Sequence, residues 1–202
     1  MSQVIDWHEM GENAPATCPL VIVALGSNLP GPAGAPAQTL SAALKGLGDS
    51  GLAVASVSRF FATPCFPKGA GPDYVNAVAI LTGASDPARI LSVLHRIEAA
   101  HGRERDQRWG QRTLDLDLVA VGDAVSPDRA TFETWRDLPL TQQMRRAPDQ
   151  LILPHPRLQD RAFVLVPLAE IAPGWMHPVT GQTVQQMCDA LPQAEKSVLH
   201  PL

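Results

Sequence analysis

The sequence predicts an α/β (α+β) fold of the ferredoxin-like, split βαβ type, in which helices pack on the faces of an antiparallel sheet. Two observations predict it: hydrophobic periodicity orders the first 121 residues as β-α-β-β-α-β, and proline or glycine punctuates most boundaries. A length of 202 residues suits one domain. We expect a loose tail over 1–18, a single domain over 19–202, and an insertion at about 129–150.

Apolar patterns define the elements of the first half. An unbroken apolar run predicts a buried strand at 20–25. A helix is predicted between Pro36 and Gly48, because proline favours the first turn of a helix and glycine commonly follows its last apolar position. Valine, serine and phenylalanine follow one another over 53–61, and side chains alternate between two faces over 74–81, so both segments are predicted strands.

The second half continues this pattern. Asp86 followed by proline begins a helix that Gly102 ends. Leucine alternates with aspartate in a strand predicted over 114–121. Two helices would then cover one face of the sheet, and the other face needs protection or a ligand. Beyond the insertion we expect one more strand and two short helices, at 162–166, 168–171 and 184–191.

Composition excludes several functional classes. The net charge is −4 and the sequence pI is about 5.8, which argues against a general nucleic-acid binder. Three cysteines without a C-x-x-C spacing indicate neither a zinc site nor a disulfide framework, and reduced thiols are typical of a cytoplasmic protein. No apolar run is long enough for a membrane span, so we expect no membrane partner.

Asp115 and Asp117 are the strongest candidates for chemistry. Alternate residues of a strand share a face, so their Cα atoms would lie about 6.5 Å apart on one side. Mg²⁺ suits such a pair, because it takes oxygen ligands and leaves room for phosphates. The pattern suggests phosphoryl-type transfer. A strand with one face exposed to solvent, however, also alternates apolar and polar residues. Four arginines, typical partners of phosphate, come just before the pair: Arg103, Arg105, Arg108 and Arg112.

A second cluster surrounds His155, which stands between two prolines on a stiff backbone. Arg157, Arg161 and Phe163 follow it. The imidazole could bind a phosphate oxygen, although an isolated histidine is more often structural. Neither G-x-x-x-x-G-K-[ST] nor G-x-G-x-x-G occurs, so arginines and a metal would have to hold a nucleotide.

In this order the motifs resemble the 6-hydroxymethyl-7,8-dihydropterin pyrophosphokinase family of folate biosynthesis. The resemblance implies Mg²⁺-dependent transfer of pyrophosphate from ATP to the pterin hydroxymethyl group, with release of AMP. It also implies two Mg²⁺ ions, ATP as co-substrate and a monomer acting on small molecules. The similarity covers most of 20–191, and its landmarks are ALGSNL (24–29), FFATP (60–64), PDYVN (72–76), RIE (96–98), RWGQRTLDLDL (108–118), LPH (153–155) and RAF (161–163).

The resemblance also implies a role for individual residues. The predicted catalytic residues are Asp115 and Asp117, which also bind the metal, with Arg103, Arg112 and Trp109, the last in a loop that closes over the substrates. The predicted ATP-binding residues are Glu98, Arg103, Arg112, His155 and Arg161. The predicted pterin-binding residues are Thr63, Phe66, Tyr74, Asn76 and Phe163. Without the resemblance, Glu98 fits an ion pair within its helix equally well, and both phenylalanines fit ordinary core packing.

Two other functions fit parts of this pattern. A metal-dependent nucleotide phosphohydrolase would share the aspartates and arginines but would need no pterin pocket. A non-enzymatic ferredoxin-like module would bind RNA on its open sheet face. That second alternative is weak, because the predicted face carries aspartates and only 5% of the chain is aromatic. We therefore expect no nucleic-acid partner.

Overall fold

The computed structural model describes residues 19–65, 69, 71–102, 113–143 and 145–202. Within these ranges the strands are β1 (Val21–Ser27), β2 (Ala53–Val57), β3 (Phe61–Thr63), β4 (Tyr74–Thr82), β5 (Asp115–Val121) and β6 (His200–Pro201). The helices are α1 (Pro36–Asp49), α2 (Pro87–Ala100), α3 (Arg129–Arg136), α4 (Leu140–Gln143), α5 (Ala162–Ile171), α6 (Val184–Ala190) and α7 (Gln193–Lys196), with a short 3₁₀ helix at Leu158–Asp160. The tail predicted over 1–18 lies outside the described residues.

The strands form one antiparallel sheet in the order β5-β1-β4-β3-β6, and β2 pairs with β4 as well. β1 and β4 lie at its centre, and β1 is buried along its whole length. β6 covers the outer edge of β3, and the amide of Leu202 extends this pairing by donating to the carbonyl of Phe60 at 2.9 Å. The strand order confirms the predicted α+β fold of the split βαβ type.

Helices cover both faces of the sheet. α1 and α2 pack on one face, where the buried helix residues include Leu40, Leu47, Ile90 and Leu94. α5 and α6 pack on the other face, where they include Leu165, Leu168, Val184 and Met187. This second apolar layer reaches Ala24 of β1 and Val78 of β4, and the next positions along that face are Gly26 and Asn76. The predicted site residues lie at this polar end of the sheet.

Three predicted elements are wrong in detail. Residues 162–166 form the first half of α5 instead of a strand, and the helix predicted at 168–171 is its second half. A short apolar run cannot be assigned by periodicity alone, and this helix is apolar on most sides because it lies between the sheet and α6. The strand predicted over 53–61 is divided into β2 and β3, which pair with different stretches of β4 and are interrupted at residues 58–60.

The predicted insertion at 129–150 contains α3 and α4. Among the helices of the described ranges, none combines the length and apolar character that a membrane crossing requires.

His177 is a buried histidine that joins α3 to the loop after α5. Its ring is fully buried and contacts Phe132 of α3 and Trp175 edge to face, with centroids 5.3 and 5.9 Å away. Its Nδ1 accepts hydrogen bonds from the amides of Val179 and Thr180 at 3.1 and 3.3 Å. Burial lowers the pKa of His177 to about 4, because a charged ring cannot be hydrated there.

The stability of the protein should therefore fall as the pH falls from about 6.5 to about 4. In that window the unfolded chain protonates this histidine while the folded chain keeps it neutral, which costs up to about 3 kcal/mol by pH 4. Urea unfolding across the window measures the effect. The control is His177→Asn, which keeps an acceptor for the two amides but does not titrate. An equal loss of stability in that variant would contradict the assignment.

Candidate active site

Asp115 and Asp117 lie on one face of β5, at the edge of the sheet. They pair with Gly26 and Ala24 of β1, while Leu116 between them is buried on the opposite side. The Asp117 side chain is 42% exposed, so its carboxylate is open to a ligand. The structure therefore brings the two predicted metal ligands together.

Two carboxylates on a strand are a donor set that suits Mg²⁺. Within the described ranges, no group of three or more His, Cys, Asp or Glu side chains is placed to hold an ion. Mg²⁺ is commonly bound through one or two carboxylates, with waters and substrate phosphates completing its shell. The residues present therefore suit an ion that is shared with a phosphate chain.

A buried glutamate supports the backbone between the two aspartates. Glu98 of α2 is 1% exposed, and its Oε1 accepts a hydrogen bond from the amide of Leu116 at 2.8 Å. An edge strand presents amides without a strand partner, and this carboxylate binds one of them. The contact holds β5 at Leu116, the residue between its two aspartates. A role of Glu98 in ATP binding stays a prediction.

Arg161 connects the aspartates to an exposed aromatic ring. It immediately precedes α5, and its Nη1 donates to Oδ2 of Asp117 at 3.2 Å. Its guanidinium carbon lies 5.6 Å from the centroid of the Phe163 ring. Phe163 is 39% exposed, which argues against ordinary core packing. Its ring is available to stack on a flat ligand.

A bulge in β5 positions His155. The pairing of β5 with β1 skips Val119, whose carbonyl accepts a hydrogen bond from the amide of His155 at 2.7 Å. Nδ1 of His155 accepts from the amide of Arg157 at 3.0 Å, so the neutral ring carries its proton on Nε2. Burial, assisted by the nearby Arg161, holds the pKa of His155 well below its usual value. Near pH 7 the ring is therefore neutral, with Nε2–H as its donor.

A second polar group lies across β1 from the aspartates. Asn76 of β4 pairs with Gly26, so Asp115, Gly26 and Asn76 form one row across three strands. Nδ2 of Asn76 donates to Oγ1 of Thr63 at 2.6 Å. Its Oδ1 lies over Gly26, where a Cβ atom would be only 2.9 Å away, and the Tyr74 ring lies on the same side. The missing side chain of Gly26 thus makes room for an amide with a fixed orientation.

Four of the predicted site residues, Phe66, Arg103, Trp109 and Arg112, lie outside the described residues. The others divide into a group around the aspartates and a group around Asn76 on the same sheet face, except Glu98, which approaches the strand edge from α2. The group around the aspartates contains Asp115, Asp117, His155, Arg161 and Phe163. The group around Asn76 contains Thr63, Tyr74 and Asn76.

Sequence reasoning assigned no role to Gly26 and Ser27, although both stand in the ALGSNL landmark. Gly26 provides the space described above, and Ser27 is fully buried with its hydroxyl donating to the carbonyl of Thr113 at 2.6 Å. The available signal was a glycine and a serine at the end of a strand that is otherwise apolar. Their partners come from β4 and from the segment before β5, so no local pattern identifies them.

Comparison with known proteins points to one family. The family model described as 7,8-dihydro-6-hydroxymethylpterin-pyrophosphokinase (HPPK) matches residues 22–173. Three curated proteins named 2-amino-4-hydroxy-6-hydroxymethyldihydropteridine pyrophosphokinase are similar to this chain. The protein from Synechocystis sp. is 35% identical over 87% of this chain and 77% of its own length. Those from Haemophilus influenzae and Pseudomonas aeruginosa are 34% and 37% identical, over 83% and 85% of this chain and 92% and 91% of theirs.

Solved structures share the fold. Wild-type HPPK-DHPS from Plasmodium falciparum superimposes with a TM-score of 0.57 at 13% sequence identity, over 85% of this chain and 44% of that one. An HPPK-DHPS solved in complex with substrates gives a TM-score of 0.60 at 11% identity, over 87% of this chain and 43% of that one. This chain spans less than half of either solved chain.

Proposed function

Because the chain belongs to the 7,8-dihydro-6-hydroxymethylpterin-pyrophosphokinase family, it is an ATP-dependent pyrophosphokinase of folate biosynthesis. We propose that its transfer uses Mg²⁺ and that Asp115 and Asp117 hold the metal. The reaction moves the two terminal phosphates of ATP together to the hydroxymethyl oxygen of 6-hydroxymethyl-7,8-dihydropterin and releases AMP. Membership of this family replaces the phosphohydrolase and the RNA-binding module as functions of this chain.

The observation that carries the site assignment is the row of Asp115, Gly26 and Asn76 across three strands. It sets a carboxylate pair and an amide on one face, separated by a residue without a side chain. A triphosphate would lie on the carboxylate side and a pterin on the amide side. The hydroxymethyl group of the pterin would then reach the phosphate chain above Gly26.

On the phosphate side, the chain supplies both signs of charge. Two Mg²⁺ ions, when bound, would neutralise the triphosphate and support the in-line transfer. Asp115 and Asp117 would hold those ions, and Arg161, already bonded to Asp117, would direct its remaining N–H groups to phosphate oxygens. The Nε2–H of His155 would add a neutral donor whose strength does not change near pH 7.

On the pterin side, the ring would be bound by both hydrogen bonding and stacking. The Thr63 hydroxyl accepts from one N–H of Asn76 Nδ2 and so fixes the amide, whose Oδ1 would accept from an N–H group on the polar edge of the ring. Phe163 would stack on the flat ring, and Tyr74 would border it on the strand side. We further propose that the enzyme is a cytoplasmic monomer that needs neither nucleic acid nor membrane.

The nucleotide product tests this function. The protein is mixed with MgATP and 6-hydroxymethyl-7,8-dihydropterin, and the nucleotides and pterins are separated by chromatography. Pterin-dependent AMP, together with diphosphorylated pterin, is the expected result, and chelation of Mg²⁺ should stop both. Formation of ADP, or ATP breakdown that ignores the pterin, would contradict the proposal.

A further inference from the structure

We propose that Ser27 is a positioning residue for Asp115, and that it acts by fixing the chain immediately before β5. The inference rests on the proposed role of Asp115 in holding Mg²⁺. The backbone pairing of β1 with β5 ends at Gly26 and Asp115. Beyond that pair, the Ser27 side chain continues the connection by donating from Oγ to the carbonyl oxygen of Thr113 at 2.6 Å.

The hydrogen bond of Ser27 is enclosed and specific. Ser27 is 0% exposed, so water does not compete for its hydroxyl. The same oxygen lies 3.3 Å from the carbonyl of Leu29, but a hydroxyl has one proton, and the contact with Thr113 is much shorter. The backbone of Thr113 is therefore held to the end of β1 by a side chain instead of by sheet pairing.

Gly31 lies next to Thr113 on another side. Gly31 and Gly34 close a tight turn after β1 through two mutual backbone hydrogen bonds of 2.9 Å. A Cβ atom at Gly31 would lie 3.4 Å from Oγ1 of Thr39, 3.6 Å from Cβ of Thr113 and 3.6 Å from the carbonyl oxygen of His101. A methyl group would just fit among these atoms, whereas a branched side chain would crowd all three, Thr113 included.

These contacts bear on metal binding because Thr113 is two residues before Asp115. A displacement of the Thr113 peptide passes along one intervening residue to the carboxylate. Ligand geometry tolerates only a few tenths of an ångström before affinity falls, and losing a group that orients a ligand commonly costs about 10–100-fold in metal affinity or activity. Asn76 is held separately by Thr63, so a displacement of Asp115 should leave the affinity for the pterin unchanged.

The test compares Ser27→Ala with Ser58→Ala. Ser58 is a matched control, because it is 5% exposed, donates to the Arg59 carbonyl at 2.8 Å and accepts from the Val78 amide at 3.0 Å. Both variants lose a buried hydroxyl, so both should melt at a lower temperature. Only Ser27→Ala should lower kcat by about tenfold or more and raise the Mg²⁺ concentration for half-maximal rate, with the KM for pterin nearly unchanged.

A binding measurement separates this inference from the proposed function. Free Mn²⁺ is counted by electron paramagnetic resonance in the presence of a non-hydrolysable ATP analogue. Ser27→Ala should bind Mn²⁺ about tenfold more weakly than the wild type and Ser58→Ala. If the wild type makes no AMP but this difference holds, the proposed function fails and the positioning role stands. If the two serine variants bind Mn²⁺ equally and have equal kcat, the positioning role is overturned.

A second pair of variants covers the case in which Ser27→Ala does not fold. Gly31→Val places a branched side chain against Thr113 and its neighbours Thr39 and His101, whereas Gly48→Val in α1 places one where no atom lies within 4 Å of the new Cβ. Gly31→Val should reproduce the weaker Mn²⁺ binding and the lower kcat, and Gly48→Val should not. Equal behaviour of these two variants would also overturn the inference.

Discussion

Asp117→Ala is expected to lower pterin-dependent formation of AMP by at least about 10³-fold while the protein stays folded. Asp117 is a proposed Mg²⁺ ligand, and without it one carboxylate must hold the ions against the waters that compete for them. Its ion pair with Arg161 is half exposed, so its loss should cost no more than about 1 kcal/mol of stability. Removing one of two like charges from a strand face also relieves their repulsion.

Two further variants make this result specific. Asp117→Asn keeps an acceptor for Arg161 but removes the charge, so it should be nearly as inactive as the alanine variant. Asp123→Ala removes an exposed carboxylate from the turn after β5 and should keep full activity. Turnover and melting temperature are measured on all three. Near-normal turnover in Asp117→Ala would show that the carboxylate is not a metal ligand.

Asn76→Ala is expected to raise the dissociation constant for the pterin by about 10–100-fold and to leave the binding of MgATP unchanged. A hydrogen bond made in a desolvated site is worth about 1–3 kcal/mol, because its loss leaves the ligand's donor buried without a partner. The Asn76 side chain is 7% exposed and fixed by Thr63, so no other group can readily replace its Oδ1. Calorimetric titration with each substrate measures the two affinities separately.

Thr63→Val provides the companion measurement. It removes the acceptor for Nδ2 of Asn76 but leaves the amide in place, so the loss of pterin affinity should be smaller than in Asn76→Ala. The double variant should lose little more than Asn76→Ala alone, because the two side chains act through one hydrogen bond. Additive losses, or a parallel loss of ATP affinity, would place the pterin elsewhere.

The elements that the sequence predicted correctly are those in which apolar residues recur at a regular spacing of a few positions. The alternation of leucine and aspartate in β5 predicts a strand with one buried face, and the leucine face is buried in the structure. Residues 162–166 were misassigned because an apolar run without alternation fits a buried helix as well as a buried strand. Length was the discriminating signal, since the apolar segment continues to Ile171.

The site was predictable only in part, for a geometric reason. Asp115, His155 and Arg161 each stand in a local sequence motif, so they could be proposed from the sequence. The row that joins Asp115 to Asn76 depends on the register of three strands, and a register is set by the whole sheet. Gly26, which has no functional group, becomes meaningful only when its two neighbours are known.

The short strand β6 has a consequence for how the molecule behaves at high concentration. A free strand edge is a template for pairing with another chain, which is a common route to aggregation. Here the outer edge of β3 is covered by two residues, of which Pro201 has no amide proton to offer. A neighbouring molecule therefore finds almost no backbone to extend along β3, which closes this part of the sheet to edge-to-edge association.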